Sequence, residues 1–479
     1  MNQKILTRVE VPLSVTLMPF LLLPLVMVSA SGLGVVWHST CSQPHPAEPL
    51  KAVEEALAVL KLERKWAGSA DEPIELCVMT VGSAFESSFK EIVEVAQSEL
   101  GPKVLISVVG GGVIGGGREL ENTAAVALLA GNFPPDCGAS PFILGTRRGA
   151  YNEAAWRATA ELFRSLEAPN FLLFGDPLSP LGDATSFVDE CAPSAVVVGG
   201  VSCPTRSGVS SLAVNGDLLP CGSVAGVALR GSRLELHAVT AQGAVGVGPT
   251  MKITRGRVNL VAALDDEPAL DRLRKVAIQA AERSPRLARL LQSSLLVGLA
   301  VDASSDDFLV RTVVGATPDG AVAIGDDSVK PGRALRVHVR DAQAAKHDLD
   351  AMLGRYSLER TFRGCDAPPF AAFLFSCAGR GHAMYGVTGH DSNVAKDLFP
   401  DTPLAGFFAN GEIGPIGARL PGGSNNEKTS SSSSSSSRRP RDATSTGVHT
   451  HLHGFTSVFA FLYDTHDWHQ PTRKEGSSS

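Results

Sequence analysis

Two apolar runs near the end of the chain finish in the same way, and that shared ending limits what the chain can fold into. The stretch FAAFLFSCAGRG (370–381) has a core, 370–375, with the length and aromatic content of a buried strand. It empties into Ser376, Cys377, Gly379, Arg380 and Gly381. The stretch TPLAGFFANGEIGPIG (402–417) repeats the design. Apolar 404–409 ends at Asn410, Gly411 and Glu412, followed by Gly414, Pro415 and Gly417. Two strand ends thus carry a cation and an anion into glycine-flanked loops, where a backbone without Cβ lets a ligand come close. Cys377, Gly379, Arg380, Gly381, Asn410, Gly411 and Glu412 are the candidate ligand-binding residues. A planar Arg380 fork suits a carboxylate and Glu412 suits an ammonium, which together fit a zwitterionic amino acid. The alternative is that Arg380 and Glu412 pair with each other and only tie two loops together.

The rest of the chain reads as alternating strands and helices. Strands are expected over 75–81, 104–109, 171–174, 195–198, 224–229, 234–239 and 258–264. Helices are expected on Leu50, Val53, Leu57 and Leu60, on Phe89, Ile92, Val93 and Ala96, and on Trp156, Ala160 and Phe163. A further helix runs from Asp266 to a break at Pro285. Hairpin strands follow at 309–314, 321–324 and 333–339, and then a helix over 341–353. The expected fold is mixed α/β: two halves of mostly mixed β-sheet with helices packed outside.

Several of these segments carry a resemblance. FSCAGRG and PLAGFFANGEIGPIG, with FLLFGDP (171–177), VVVGGVS (196–202), TAQGAVGVGP (240–249), LVRTVVGATPDGAVAIGD (309–326), RVHVRDA (336–342) and HLHGFTSVFAFL (451–462), resemble the FIST family in its order. The resemblance implies a FIST N-terminal-like domain over 50–265 and a FIST C-terminal-like domain over 266–464. It implies a non-catalytic sensor of a small ligand, with amino acids as the class, and no reaction. An F-box is not visible, because only about forty residues separate the apolar leader from the first strand. A protein-interaction scaffold related to F-box FIST proteins is one rival function; a thiol- or nucleotide-dependent enzyme is the other.

The ends and one internal segment differ in kind. Residues 1–32, with Lys4 and Arg8 ahead of the apolar block at 11–32, have the layout of a secretory signal or a membrane anchor. The expected destination is the secretory route or a membrane, or the plastid in an algal host that uses a bipartite leader. Residues 33–49 read as linker, with Pro44, Pro46 and Pro49 blocking regular structure. Residues 422–446, with serines from 430 to 437, read as a disordered insertion in a surface loop, and 465–479 as a tail.

The remaining chemistry is weighed residue by residue. Gly110, Gly112 and Gly115 spell G-x-G-x-x-G after a strand, but no clean helix start follows, so no nucleotide cofactor is expected. His449, His451 and His453 alternate along one strand face, with His466 and His469 beyond. They are read as solvated or hydrogen-bonded rather than as metal ligands. Eight cysteines lack any CxxC spacing and read as mostly buried thiols. Cys377 is the one with a nearby cation, Arg380, and with His382 or His390 as conceivable bases. Asp176, Gly199, Gly200, Gln242 and Gly243, at strand ends of the first half, are assigned to turn formation. A net charge of -6 offers no basic face to neutralise phosphates, so no nucleic-acid partner is expected.

Overall fold

Leu76–Gly82, Asn170–Gly175 and Ala371–Cys377 are near-continuous apolar runs, the pattern of strands covered on both faces. Each is followed by helix and then by a parallel partner: Val104–Gly110, Val197–Val201 and Leu404–Ala409. These three parallel pairs are the centres of three sheets in the computed structural model, which describes residues 35–145, 153–206, 208–302, 306–420 and 449–469. In every sheet an antiparallel strand lies beside the first member: Val126–Gly131, Val224–Arg230 or Thr456–Asp464. An outer strand follows: Trp37–Cys41, Gly138–Leu144 or Leu234–Gln242.

The other side of each sheet is closed by a strand pair from a different part of the chain. Gly112–Gly115 and Arg118–Glu121 leave the first sheet and complete the third. Leu212–Val214 and Asp217–Leu218 leave the second and complete the first. Glu412–Gly414 and His451–His453 leave the third and complete the second. The exchange is cyclic, and three backbone bonds mark it. Gly111 N donates to Phe408 O at 2.8 Å, Cys203 N to Val109 O at 2.8 Å, and Asn410 N to Val201 O at 2.9 Å. The chain therefore contains three divergent copies of one unit, arranged about a pseudo-threefold axis.

Side-chain alternation decides what each face does. Leu76 and Val78, Leu172 and Phe174, and Phe373 and Phe375 point into one core shared by all three sheets. Cys77 and Met79, Phe171 and Leu173, and Ala372 and Leu374 point outward to separate helix-covered clusters. Phe174 and Phe375 meet edge to face at 6.0 Å in the centre, and Phe375→Ala there costs about 3–5 kcal/mol.

The third unit carries an insertion between Leu234–Gln242 and the helix Ala342–Phe362. Strand Ala244–Arg257 pairs with Ala334–Arg340 along its first part and with Leu260–Leu264 along its last, so six strands close into a barrel. Val247, Ile253, Leu299 and Val337 fill it, together with Leu273 and Val276 from helix Ala269–Arg283.

Mixed sheets with helices outside match the expected class; among the described residues they are three mixed sheets and the antiparallel sheet of the barrel. Residues 265–266, the expected boundary, follow strand Leu260–Leu264 and precede helix Ala269–Arg283. Residues 37–41, read as linker, form an edge strand instead, because the prolines taken as blocking lie beyond it at 44, 46 and 49. Strand Ala244–Arg257 went unread. Its glycines and proline sit where the pairing shifts register, so the apolar alternation is broken. GGGVIGGG becomes the end of one strand and a hairpin turned at Gly116 and Gly117, with no helix N-terminus for a pyrophosphate. The leader at 1–32 and the serine-rich segment at 422–446 lie outside the described residues, as does most of the 465–479 tail. Among the described residues no helix is long and apolar enough to cross a membrane.

Candidate functional site

The carboxyl ends of the three parallel pairs point to the same end of the molecule, and the loops leaving them meet there. Ligands of open α/β sheets bind at such ends, where backbone groups and loop side chains converge. Gly111, Cys203 and Cys377 are half-buried at this end, and Ala378 and Asn410 are exposed.

From Cys377 the chain makes a tight turn, with Arg380 N donating to Cys377 O at 2.8 Å, and sends the Arg380 side chain back inside. Arg380 is only 1 % exposed. Its Nε donates to Asp391 Oδ2 at 2.8 Å and its Nη2 to Asp391 Oδ1 at 3.2 Å. Asp391 lies in the first turn of helix His390–Leu398 and also accepts from the hydroxyls of Ser376 and Ser457. Burial opposes charge on Asp391, but the Arg380 guanidinium and bonds from His390, Arg380 and Ser457 hold its carboxyl well below the usual range. Burial likewise opposes charge on Arg380, and Asp391 beside it more than restores the cation. Gly381 follows at φ +68°, where its missing Cβ leaves room for the Glu121 carboxylate, whose Oε1 accepts from His382 N at 2.7 Å.

Glu412 is fully buried at the start of Glu412–Gly414, opposite Gly200 and His453. Its Oε2 accepts from Thr456 N at 3.1 Å and Thr456 Oγ1 at 2.7 Å. Burial pushes its carboxyl up to about 8 despite the Thr456 bonds and the charge of Arg380. Cys377 lies against it. Although the residue is half-buried, its thiol is shielded from water, and burial plus the Glu412 charge push it up to about 12.

Arg380 Nη1 and Gln242 Oε1 are buried and have no hydrogen-bond partner among the described residues, and buried Glu412 Oε1 has the weak thiol donor of Cys377 beside it. Buried polar atoms are nearly always paired, so a concentration of such atoms singles out a place. Gly243 forms the wall beside Arg380: a Cβ there would sit 2.9 Å from Nη1 and 2.2 Å from Phe455 O. Its neighbour Gln242 donates its N–H to Asp348 Oδ2 at 2.6 Å. Gln242 and Asp348 line a cavity of about 420 Å³ between the barrel and helix Ala342–Phe362, with Phe308, Arg336, His338 and His347. The barrel is fastened over the site by Arg340, which donates to Gly379 O and lies 5.6 Å from the Phe455 ring centre.

The structure thus brings Cys377, Arg380 and Glu412 together. Gly379, Gly411 and Asn410 enter through their backbones: Gly379 O takes the Arg340 bond, Gly411 O accepts from Val201 N at 2.8 Å, and Asn410 keeps its side chain outside. Arg380 pairs with Asp391 rather than with Glu412. Asp391, Thr456, Ser457 and Arg340 were not read from the sequence, and Gln242 and Gly243 had been given to turns. An Asp two residues after a glycine at a helix start, in GHDSN, is the available signal for Asp391. Asp176 does hold a turn, accepting from Leu178 N and Gly222 N.

The remaining candidates make other contacts. His390 stacks on Tyr385 at 4.0 Å and bonds Asp391, so it is committed away from Cys377. His453 is buried with Nε2 3.1 Å from Gly414 O, and burial lowers it to about 3; His451 falls to about 4 by burial and its histidine neighbour. Among the described residues no three His, Cys, Asp or Glu side chains group as metal ligands. Cys41, Cys77 and Cys365 are buried and Cys221 is exposed.

Residues 76–267 match the FIST N domain and residues 269–415 the FIST C domain. An uncharacterized protein of Mycobacterium tuberculosis is 32% identical over 382 residues, which is 78% of this chain and 87% of that protein. An uncharacterized protein of Mycobacterium bovis is 31% identical over 359 residues, 73% of this chain and 88% of its own length. A short segment of 43 residues, 9% of this chain, is 46% identical to F-box only protein 22 of Homo sapiens and covers 11% of it.

Proposed function

This chain belongs to the FIST family of small-ligand-binding sensory domains, and from that premise we propose that it is a non-catalytic sensor of an amino acid, held by Arg380 and Glu412 beside Cys377. The observation that carries this reading is the pair of buried atoms Arg380 Nη1, without a partner among the described residues, and Glu412 Oε1, with the weak thiol donor of Cys377 beside it, at one converging set of strand ends. Asp391 already occupies one edge of the guanidinium, so the ligand carboxylate meets the single donor Nη1 rather than the whole fork. Glu412 holds its proton at neutral pH and accepts an ammonium only by releasing it. Binding of an amino acid at neutral pH therefore releases a proton. The cavity lined by Gln242 and Asp348 lies on the barrel side of this cluster, with Gly243 between Gln242 and the Arg380 wall.

A thiol raised to about 12 is the opposite of an activated nucleophile, which weighs against a Cys377-dependent enzyme. On the same footing we assign residues 1–32 to routing into the secretory pathway, a membrane or a plastid.

A thermal-shift screen of the purified protein against amino acids and nucleotides tests the function. A true ligand at about 100 times its Kd adds ~2.7 kcal/mol of stability. Titration in buffers of different ionisation enthalpy then reads the proton. Stabilisation by an amino acid, lost in Arg380→Lys and accompanied by proton release that Glu412→Gln abolishes, is the expected result. An amino acid that stabilises Arg380→Lys as well as the natural protein would place the ligand elsewhere.

A further inference from the structure

A second cavity, of about 150 Å³, opens on the flank of the third sheet, away from the strand-end cluster. It lies between strand Trp37–Cys41 and helix His390–Leu398. Trp37, Phe399 and Phe461, all buried, form its floor, and the exposed Lys396 and Asp401 stand at its rim. Gly116 and Gly117, the tail of the glycine-rich stretch that finds no use as a nucleotide loop, supply part of the wall.

We propose that this cavity binds a single-ring aromatic acid bearing a ring hydroxyl, with the ring among Trp37, Phe399 and Phe461, the hydroxyl on His38 and the carboxylate on Lys396. The volume sets the size, since a cavity of about 150 Å³ holds one benzene ring. The floor sets the character, since edge and face contacts from three aromatic side chains favour a flat apolar body.

His38 sets the first polar contact. It lines the cavity, is 6 % exposed, and its Nε2 has no partner among the described residues. Its Nδ1 lies 3.6 Å from Glu63 Oε2, beyond hydrogen-bond distance, so that contact does not commit Nε2 to donating or to accepting. A phenolic hydroxyl both donates and accepts, so it pairs with that atom in either role. Lys396 sets the second contact. Its Nζ lies over Gly117, 3.3 Å from where a Cβ would be, and its side chain is exposed. It offers an ammonium at the mouth. Asp401 on the same rim makes an amine the rival tail group.

Isothermal titration of the full chain with 4-hydroxyphenylacetate, phenylacetate and tyramine tests the assignment without relying on the amino-acid reading. Saturable binding of 4-hydroxyphenylacetate is expected. Phenylacetate should bind about tenfold more weakly, because it leaves Nε2 buried and unpaired. Tyramine should also be about tenfold weaker, because it brings no anion to Lys396. Lys396→Met, at an exposed position that leaves the core intact, should weaken 4-hydroxyphenylacetate by a similar factor while keeping its advantage over phenylacetate. No saturable heat at millimolar 4-hydroxyphenylacetate, equal binding of phenylacetate or of tyramine, or an unaffected Lys396→Met protein would each overturn the proposal.

Discussion

Glu412→Gln should raise stability at alkaline pH, because glutamine copies the protonated carboxyl without its proton. In the folded chain Glu412 titrates at about 8, whereas an unfolded glutamate titrates near 4.3. Between those values the folded protein holds a proton that the unfolded chain has released. Its contribution is thus fully present below about pH 4.3 and is lost as pH rises toward about 8. At ~1.36 kcal/mol per unit, the natural protein should lose on the order of 3–5 kcal/mol across this window relative to the variant. The glutamine carbonyl can take both Thr456 bonds, so the variant keeps the local geometry. Urea unfolding of both proteins from pH 5 to pH 9 gives the comparison. Parallel profiles across that range would mean that Glu412 is ionised in the folded state, and the argument from its burial would fail.

Other perturbations probe the same region and the chain ends. Asp391→Ala should destabilise by about 3–5 kcal/mol, since it leaves Arg380 buried and uncompensated, while Arg380→Met with Asp391→Leu should recover most of the loss; a melting curve that stays put for the single variant would deny the pair its role. Gly243→Ala should cost about 1–3 kcal/mol through its clash with Phe455 O and Arg380, read by chemical denaturation. A fluorescent fusion to residues 1–49 should leave the cytosol, and a diffuse cytosolic signal would reject routing by the leader. Deleting residues 423–445, whose composition offers almost no apolar surface to bury, should change stability by less than about 1 kcal/mol in a melting experiment.

The strands that build the three sheets were legible because burial on both faces writes itself as continuous apolar runs, as at 104–109 and 404–409. Their partners were not. Gly406 pairs with Ile114, and Ile413 with Gly199, across separations that periodicity does not encode. The threefold repeat was hidden because the copies share geometry rather than residues, and because the barrel splits the third. Cys377, Arg380 and Glu412 stood out as charge and thiol at glycine-flanked strand ends. Asp391 did not, because one acidic residue at a helix start looks like ordinary capping until the fold delivers an arginine to it.

The cyclic exchange of strand pairs has a consequence during synthesis. The hairpin at Gly112–Gly115 and Arg118–Glu121 emerges early, yet the strand it docks on, Leu404–Ala409, is made about 290 residues later. At ~5–20 residues per second the ribosome needs about 15–60 s to cover that distance. For that interval the hairpin waits with an unpaired edge, and so does the second sheet at Val197–Val201, whose closing strand starts only at Glu412. Open edges invite pairing with other chains. A nascent chain halted anywhere before residue 412 is therefore left with two sheets incomplete, and such fragments should be the aggregation-prone and chaperone-held species of this protein.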